Sequence, residues 1–261
     1  NEGMFASAFT KFSVHTIGRS DNINDILLRH LDFQNDALTV MFVTTKSDQS
    51  GETTSEIKRL FFFFFLPDVC LLLDLAIFIF STHRHSEAEC TYLFGGDDQN
   101  KRYYKILRKA CAEIPDTVDL GCARVDIGTH SNRKFAESMA VSRLDGPNRT
   151  QVCLRAGQSV GRTQDCYMSQ EDDGDAFVGR TVALLQMTAD EFDVLPLHFP
   201  PEVEDRLNDY GWENIYPGYE HHPFTFQRVI RHLLPNLIYH YGTGHLQERC
   251  HPDHPLWRSA L

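Results

Sequence analysis

Thr129-His130-Ser131-Asn132-Arg133-Lys134-Phe135-Ala136-Glu137-Ser138-Met139 carries a histidine and an arginine three residues apart. On a helix this spacing puts both side chains on one face. Thr129, following Gly128, suits an N-cap, and the free N–H groups of such a helix start favour an anion. Downstream, Ala156-Gly157-Gln158-Ser159 reads as a small–Gly–polar turn, and Tyr167 follows nine residues after Gln158. Upstream, Gly18-Arg19-Ser20-Asp21-Asn22 places an arginine ahead of a short helix, and Thr45-Lys46-Ser47-Asp48-Gln49 places a lysine at a hairpin tip. Taken singly, each piece has an ordinary structural reading: a solvated helix face, a packing tyrosine, a turn lysine. What sets them apart is their joint order and spacing.

In that order the residues resemble the signature of the tyrosine recombinases, and most closely the Crypton-like branch carried by eukaryotic transposons. Further stretches share the resemblance: Cys153-Leu154-Arg155-Ala156-Gly157-Gln158-Ser159, Gly174-Asp175-Ala176-Phe177-Val178-Gly179-Arg180-Thr181-Val182, Leu195-Pro196-Leu197-His198-Phe199 and His254-Pro255-Leu256. The resemblance implies an α+β, mostly α-helical catalytic-core fold with a small antiparallel three-stranded sheet and a helical C-terminal extension. Residues 1–185 would form the core and 186–261 the extension, with the family's N-terminal DNA-clamp domain absent. The implied activity is site-specific cleavage and rejoining of double-stranded DNA through a 3′-phosphotyrosyl intermediate, during integration or recombination of a mobile element in the nucleus.

Residue roles follow from the resemblance. Tyr167 would be the nucleophile that stores the phosphodiester bond energy covalently. Arg19 and Arg133 would clamp the non-bridging oxygens, because a guanidinium stays ionised and binds phosphate in a fork. Lys46 would protonate the leaving 5′ oxygen and His130 would shuttle the tyrosine proton. Gln158 stands where the family keeps histidine or tryptophan; an amide still donates to a phosphate oxygen but lacks tryptophan's bulk. No metal or nucleotide cofactor is implied, and the partners would be duplex DNA and further copies of the chain assembled on it. Two other readings stay open: a domesticated or degenerate recombinase fold that binds DNA or protein without cutting, possible for an inactive copy, and a type IB topoisomerase-like activity, which shares the chemistry.

Composition bounds these expectations. The chain has 261 residues, 42% hydrophobic and 23% charged, which is ordinary for a globular domain with a substantial core. Seven dispersed cysteines fit reduced thiols better than a disulfide framework. The net charge of −11 is unusual for a DNA binder, but it is unevenly spread: residues 1–150 hold 17 Lys+Arg against 20 Asp+Glu, and residues 151–261 hold 8 against 16. Lys101, Arg102, Lys105, Arg108 and Lys109 recur at helical spacing, and with Lys134 they are the candidate phosphate-tracking residues.

Along the chain, residues 20–30 read as a short helix capped by Ser20 or Asp21. Residues 31–65 read as three antiparallel strands, turning first at Asn35-Asp36 and then at the Lys46 loop. Pro67-Asp68 opens an apolar helix, Val69 to Phe80, and the acidic interruptions argue against a membrane span. A basic helix falls near 99–113, with further helices at 129–141 and around 151–168. Glu171-Asp172-Asp173-Gly174-Asp175 lacks calcium-loop ligand spacing and reads as a loop and helix cap. The histidine-rich tail with Cys250 lacks a C-x-x-C partner, so no zinc site is expected. Asn148-Arg149-Thr150 matches a glycosylation sequon. Phe224 to Tyr241 reads as one amphipathic helix kinked at Pro235.

Overall fold

A computed structural model describes residues 2–42, 56–82, 91–160, 172–185 and 196–258. It is α+β and mostly helical, with one three-stranded antiparallel sheet in the order β1-β2-β3. Strands β1 (Leu31–Gln34) and β2 (Ala37–Phe42) pair from Leu31 opposite Val40 to Gln34 opposite Ala37. Asn35 makes the turn between them at φ 54°, a left-handed conformation that asparagine tolerates. Strand β3 (Glu56–Leu60) pairs with β2 from Leu38 opposite Leu60 to Phe42 opposite Glu56.

The strand expected to run to 65 stops at Leu60. Beyond it the phenylalanines alternate between two cores. Phe61 packs with Ala37, Ala183 and Leu185, while Phe62 joins the main core beside Phe33.

The first helix, α1 (Glu2–Thr16), is absent from the sequence reading. It buries Phe5, Ala8, Phe9 and Phe12 at i, i+3, i+4 and i+7, which is one helical face. The helix expected over 20–30 is shorter, α2 (Ser20–Asn24), and Arg19 occupies its N-cap position without a side-chain cap from Ser20 or Asp21. It stops because the chain turns to pair with residues 91–93: Leu28 N–H donates to Thr91 and Leu93 N–H to Ile26. A 3₁₀ turn at Leu28–His30 then leads into the sheet.

Helix α3 (Leu71–Thr82) is apolar all round and buried from Leu71 to Phe80, as expected of a helix at the centre of a core. Its buried Asp74 is neutralised by Lys11 at 2.9 Å and Arg249 at 2.7 Å. Among the described residues no helix is long and apolar enough to cross a membrane.

Helix α4 (Gln99–Glu113) lies where the basic periodicity placed it. Its buried Tyr103 packs on Phe9 at 4.6 Å, and its hydroxyl lies 2.8 Å from both Thr10 Oγ1 and Asn132 Nδ2. One tyrosine thereby ties α1 and α4 to the first turn of α5 (Ser131–Ser142). Helix α6 (Arg149–Arg155) covers the start of the stretch expected to be helical around 151–168, of which residues 161–168 lie outside the described residues. Gly157, at φ 61°, breaks it. Asn148, the sequon residue, is its N-cap in a reciprocal box with Gln151, both bonds being 2.9 Å.

Helix α7 (Asp172–Val182) replaces the loop expected over 171–175. Asp175, read as a cap residue, is instead buried against Arg155. Toward the C-terminus come α8 (Pro201–Tyr210), α9 (Trp212–Ile215), α10 (Phe224–Gly242) and α11 (His245–Arg249). Helix α10 continues through Pro235 and packs on α3 and β1. Arg228 grips Asp32 of β1 with two nitrogens, and His232 stacks on Phe33 at 3.8 Å. Trp212, Phe226, Leu233 and Leu246 therefore share the largest core with Phe5, Phe9, Leu31 and Leu72.

Candidate functional site

A second, smaller core positions the candidate residues. Ile17, Ala136, Ala140, Val152, Ala156, Val178 and Val182 pack together. The alanines let α5, α6 and α7 approach closely. Each candidate segment is anchored here by a neighbour: Arg19 by Ile17, Arg133 by Ala136, and Gln158 by Ala156. Ile17 has φ 50°, an uncommon conformation for a β-branched residue, and its side chain is fully buried.

That end of α1 is held from two sides. Arg155 is fully buried and donates to the carbonyls of His15 and Arg59, both at 2.8 Å, and to the carboxylate of Asp175. Asp175 in turn accepts from the Arg59 N–H at 2.7 Å. Lys58 of β3 donates to the Thr16 carbonyl at 3.1 Å and lies 4.6 Å from the centre of the Phe42 ring. Burial pushes its ammonium down to about 8, partly offset by the Glu56 carboxylate, while Arg155 and Arg133 push it further down. Lys58 lies outside the stretches that carry the resemblance, and Arg155 and Asp175 lie within two of them without an assigned role; what they do depends on partners up to 140 positions away, as between His15 and Arg155.

Arg133 is buried on the inner face of α5. Its Nε donates to Glu137 Oε1 at 2.8 Å and its NH2 to the Ala156 carbonyl at 2.7 Å. Gln158 Nε2 donates to the same Glu137 oxygen at 2.7 Å. Arg133 and Gln158 are thus brought together through an acid that sequence reasoning did not single out. Its signal, an acid four residues after an arginine on a helix, was present.

The other candidates fall differently. His130 is exposed and takes the N-cap position expected of Thr129, without a side-chain cap bond; the Ser131 hydroxyl instead accepts from the Gly128 N–H at 3.0 Å. Arg19 is half-buried at the start of α2. Lys46 and Tyr167 lie outside the described residues.

Of the basic candidates, Lys105, Lys109 and Lys134 are exposed and form no ion pair among the described residues. Lys101 pairs with Asp98 at 2.8 Å, Arg102 lies over the Phe5 ring at 4.3 Å, and Arg108 donates to the Arg124 carbonyl at 2.6 Å. Lys101, Arg102, Lys105 and Lys109 line one shallow groove along α4, whose other walls include Asp97 and Asp98. Among the described residues no group of three or more His, Cys, Asp or Glu is arranged to hold a metal.

No protein-family model, no curated protein and no solved structure matches this chain.

Proposed function

We propose that this chain is the catalytic domain of a tyrosine recombinase of the Crypton type, which cleaves and rejoins duplex DNA through a 3′-phosphotyrosyl intermediate in the nucleus. The observation that carries the reading is the convergence of three sequence-distant segments on one core: Ile17 beside Arg19, Ala136 one turn past Arg133, and Ala156 two residues before Gln158. The convergence supports a shared phosphate site. The Tyr167 oxygen attacks the scissile phosphorus while His130 receives the phenolic proton, and the 5′ oxygen leaves with a proton from Lys46. Arg19 and Arg133 counter the charge that gathers on the non-bridging oxygens. Lys105, Lys109 and Lys134 supply backbone contacts, and further copies of the chain assemble on the DNA.

A second reading is a recombinase-like fold that binds DNA or protein without cutting. The Glu137 carboxylate on both Arg133 and Gln158 favours it, as does the net charge of −11. A suicide duplex, in which a nick prevents religation, separates the two. The enzyme reading expects a covalent protein–DNA adduct with the wild-type chain, and none with Tyr167→Phe although DNA is still bound. Binding without any adduct by the wild type supports the second reading and overturns the first. Relaxation of supercoiled DNA without joining of partner sites would point to topoisomerase-like activity.

A further inference from the structure

Glu137 lies one turn after Arg133 on α5, and its side chain is 26% exposed. It stands at the lip of a groove of about 250 Å³ formed with Ser138, Val141, Arg149, Val152, Cys153 and Gln158. Its Oε1 accepts at once from Arg133 Nε at 2.8 Å and Gln158 Nε2 at 2.7 Å. A guanidinium and an amide from two different elements therefore converge on one anionic oxygen. A phosphate oxygen would require the same donors. Arg133 keeps a separate bond from NH2 to the Ala156 carbonyl at 2.7 Å, so its guanidinium stays aimed at the site whether or not Glu137 is there. On another wall of the groove, Arg149 is exposed and forms no ion pair among the described residues.

We infer that Glu137 is a built-in occupant of an anion site, displaced toward Arg149 when a phosphodiester of DNA enters. The identity of that ligand rests on the proposed recombinase reading; the latch itself rests on the geometry. Two anions in contact at one arginine repel each other, so phosphate entry and Glu137 departure are coupled. The departure needs a side-chain rotation only, since Glu137 is partly exposed and the helix backbone is unaffected. Arg149 gives the released carboxylate a counter-charge inside the same groove, making two discrete positions for one side chain.

The test is equilibrium binding of a short fluorescent duplex to the full chain. Glu137→Ala and Glu137→Gln should bind about tenfold more tightly than wild type, because no charge-assisted pair is left to displace. Glu202→Gln on α8, which removes the same single charge elsewhere, should stay within about twofold of wild type. The gain should vanish when Glu137→Ala is combined with Arg133→Ala, and shrink when it is combined with Gln158→Ala. Arg149→Ala should weaken binding in the wild-type background and leave the Glu137→Ala chain unchanged.

Glu137→Ala no tighter than Glu202→Gln, or an Arg149→Ala loss equal in both backgrounds, would overturn the inference. If no variant binds the duplex, the recombinase reading fails independently of the latch. Inorganic phosphate then tests the latch alone, through the Arg133 Nε–H resonance. That signal should shift at lower phosphate concentration in Glu137→Ala than in wild type, and equal midpoints would refute displacement.

Discussion

Replacing Arg155 with methionine should be among the most destabilising single changes in this chain. Arg155 is fully buried. It joins α6 to α1 through the His15 carbonyl, to β3 through the Arg59 carbonyl, and to α7 through the carboxylate and carbonyl of Asp175. Methionine fills much of the volume but takes the guanidinium away from the buried Asp175 carboxylate, which still accepts from the Arg59 N–H at 2.7 Å. Breaking a buried ion pair in this way costs about 3–5 kcal/mol. The lost hydrogen bonds to the His15 and Arg59 carbonyls keep the total in the upper part of that range. For a chain of this size, about 4 kcal/mol corresponds to a drop in Tm of about 8–16 °C. Thermal and urea unfolding followed by circular dichroism give the two independent readings. Arg155→Lys, which keeps the charge but not the fork, should fall between the two. The double variant Arg155→Met with Asp175→Asn should recover part of the loss, because the stranded charge is gone. An Arg155→Met chain within about 1 kcal/mol of wild type would refute the claim that this residue holds the four elements together.

Two further outcomes follow from packing and titration. Gly179→Ala places a Cβ 2.5 Å from the Arg59 carbonyl and 3.0 Å from the Phe61 ring. It should lower the urea midpoint by the equivalent of about 1–3 kcal/mol despite alanine's better helix propensity, and a raised midpoint would contradict the close α7–β3 approach. His15 is buried, and burial pushes its imidazole down to about 4 from 6.5. The unfolded chain therefore binds more protons between these values, so stability is fully present above about pH 6.5 and falls as pH drops toward 4. His15→Gln should flatten that acid slope; an unchanged slope would show that other groups set it.

Much of the local structure is legible from the residues alone. Asn35-Asp36 can hardly be anything but a tight turn between alternating apolar runs, and the basic i, i+4 pattern of 101–109 places α4 on Gln99–Glu113. The HxxR spacing locates α5, and the small–Gly–polar run reads as a turn, where the Gly157 backbone takes φ 61°. These features depend on neighbours within one or two turns, so the chain carries them without help from tertiary contacts. The pairing of an arginine with an acid four residues on is local in the same way.

Tertiary structure decided the rest. The Phe61–Phe65 run is as apolar as a strand, yet β3 ends at Leu60, paired with Leu38, where its partner β2 has nearly reached its own first residue, Ala37. Residues 26–28 leave the helical pattern to bond to 91–93, which no local propensity reveals. Asp175 looks like one more acid in a polar loop until Arg155 is folded against it. Glu137 looks like a solvated helix residue until the turn after α6 brings the Gln158 amide to the same oxygen as Arg133. Buried charge is tolerated only when a partner meets it, and those partners are chosen by chain segments that are remote in sequence.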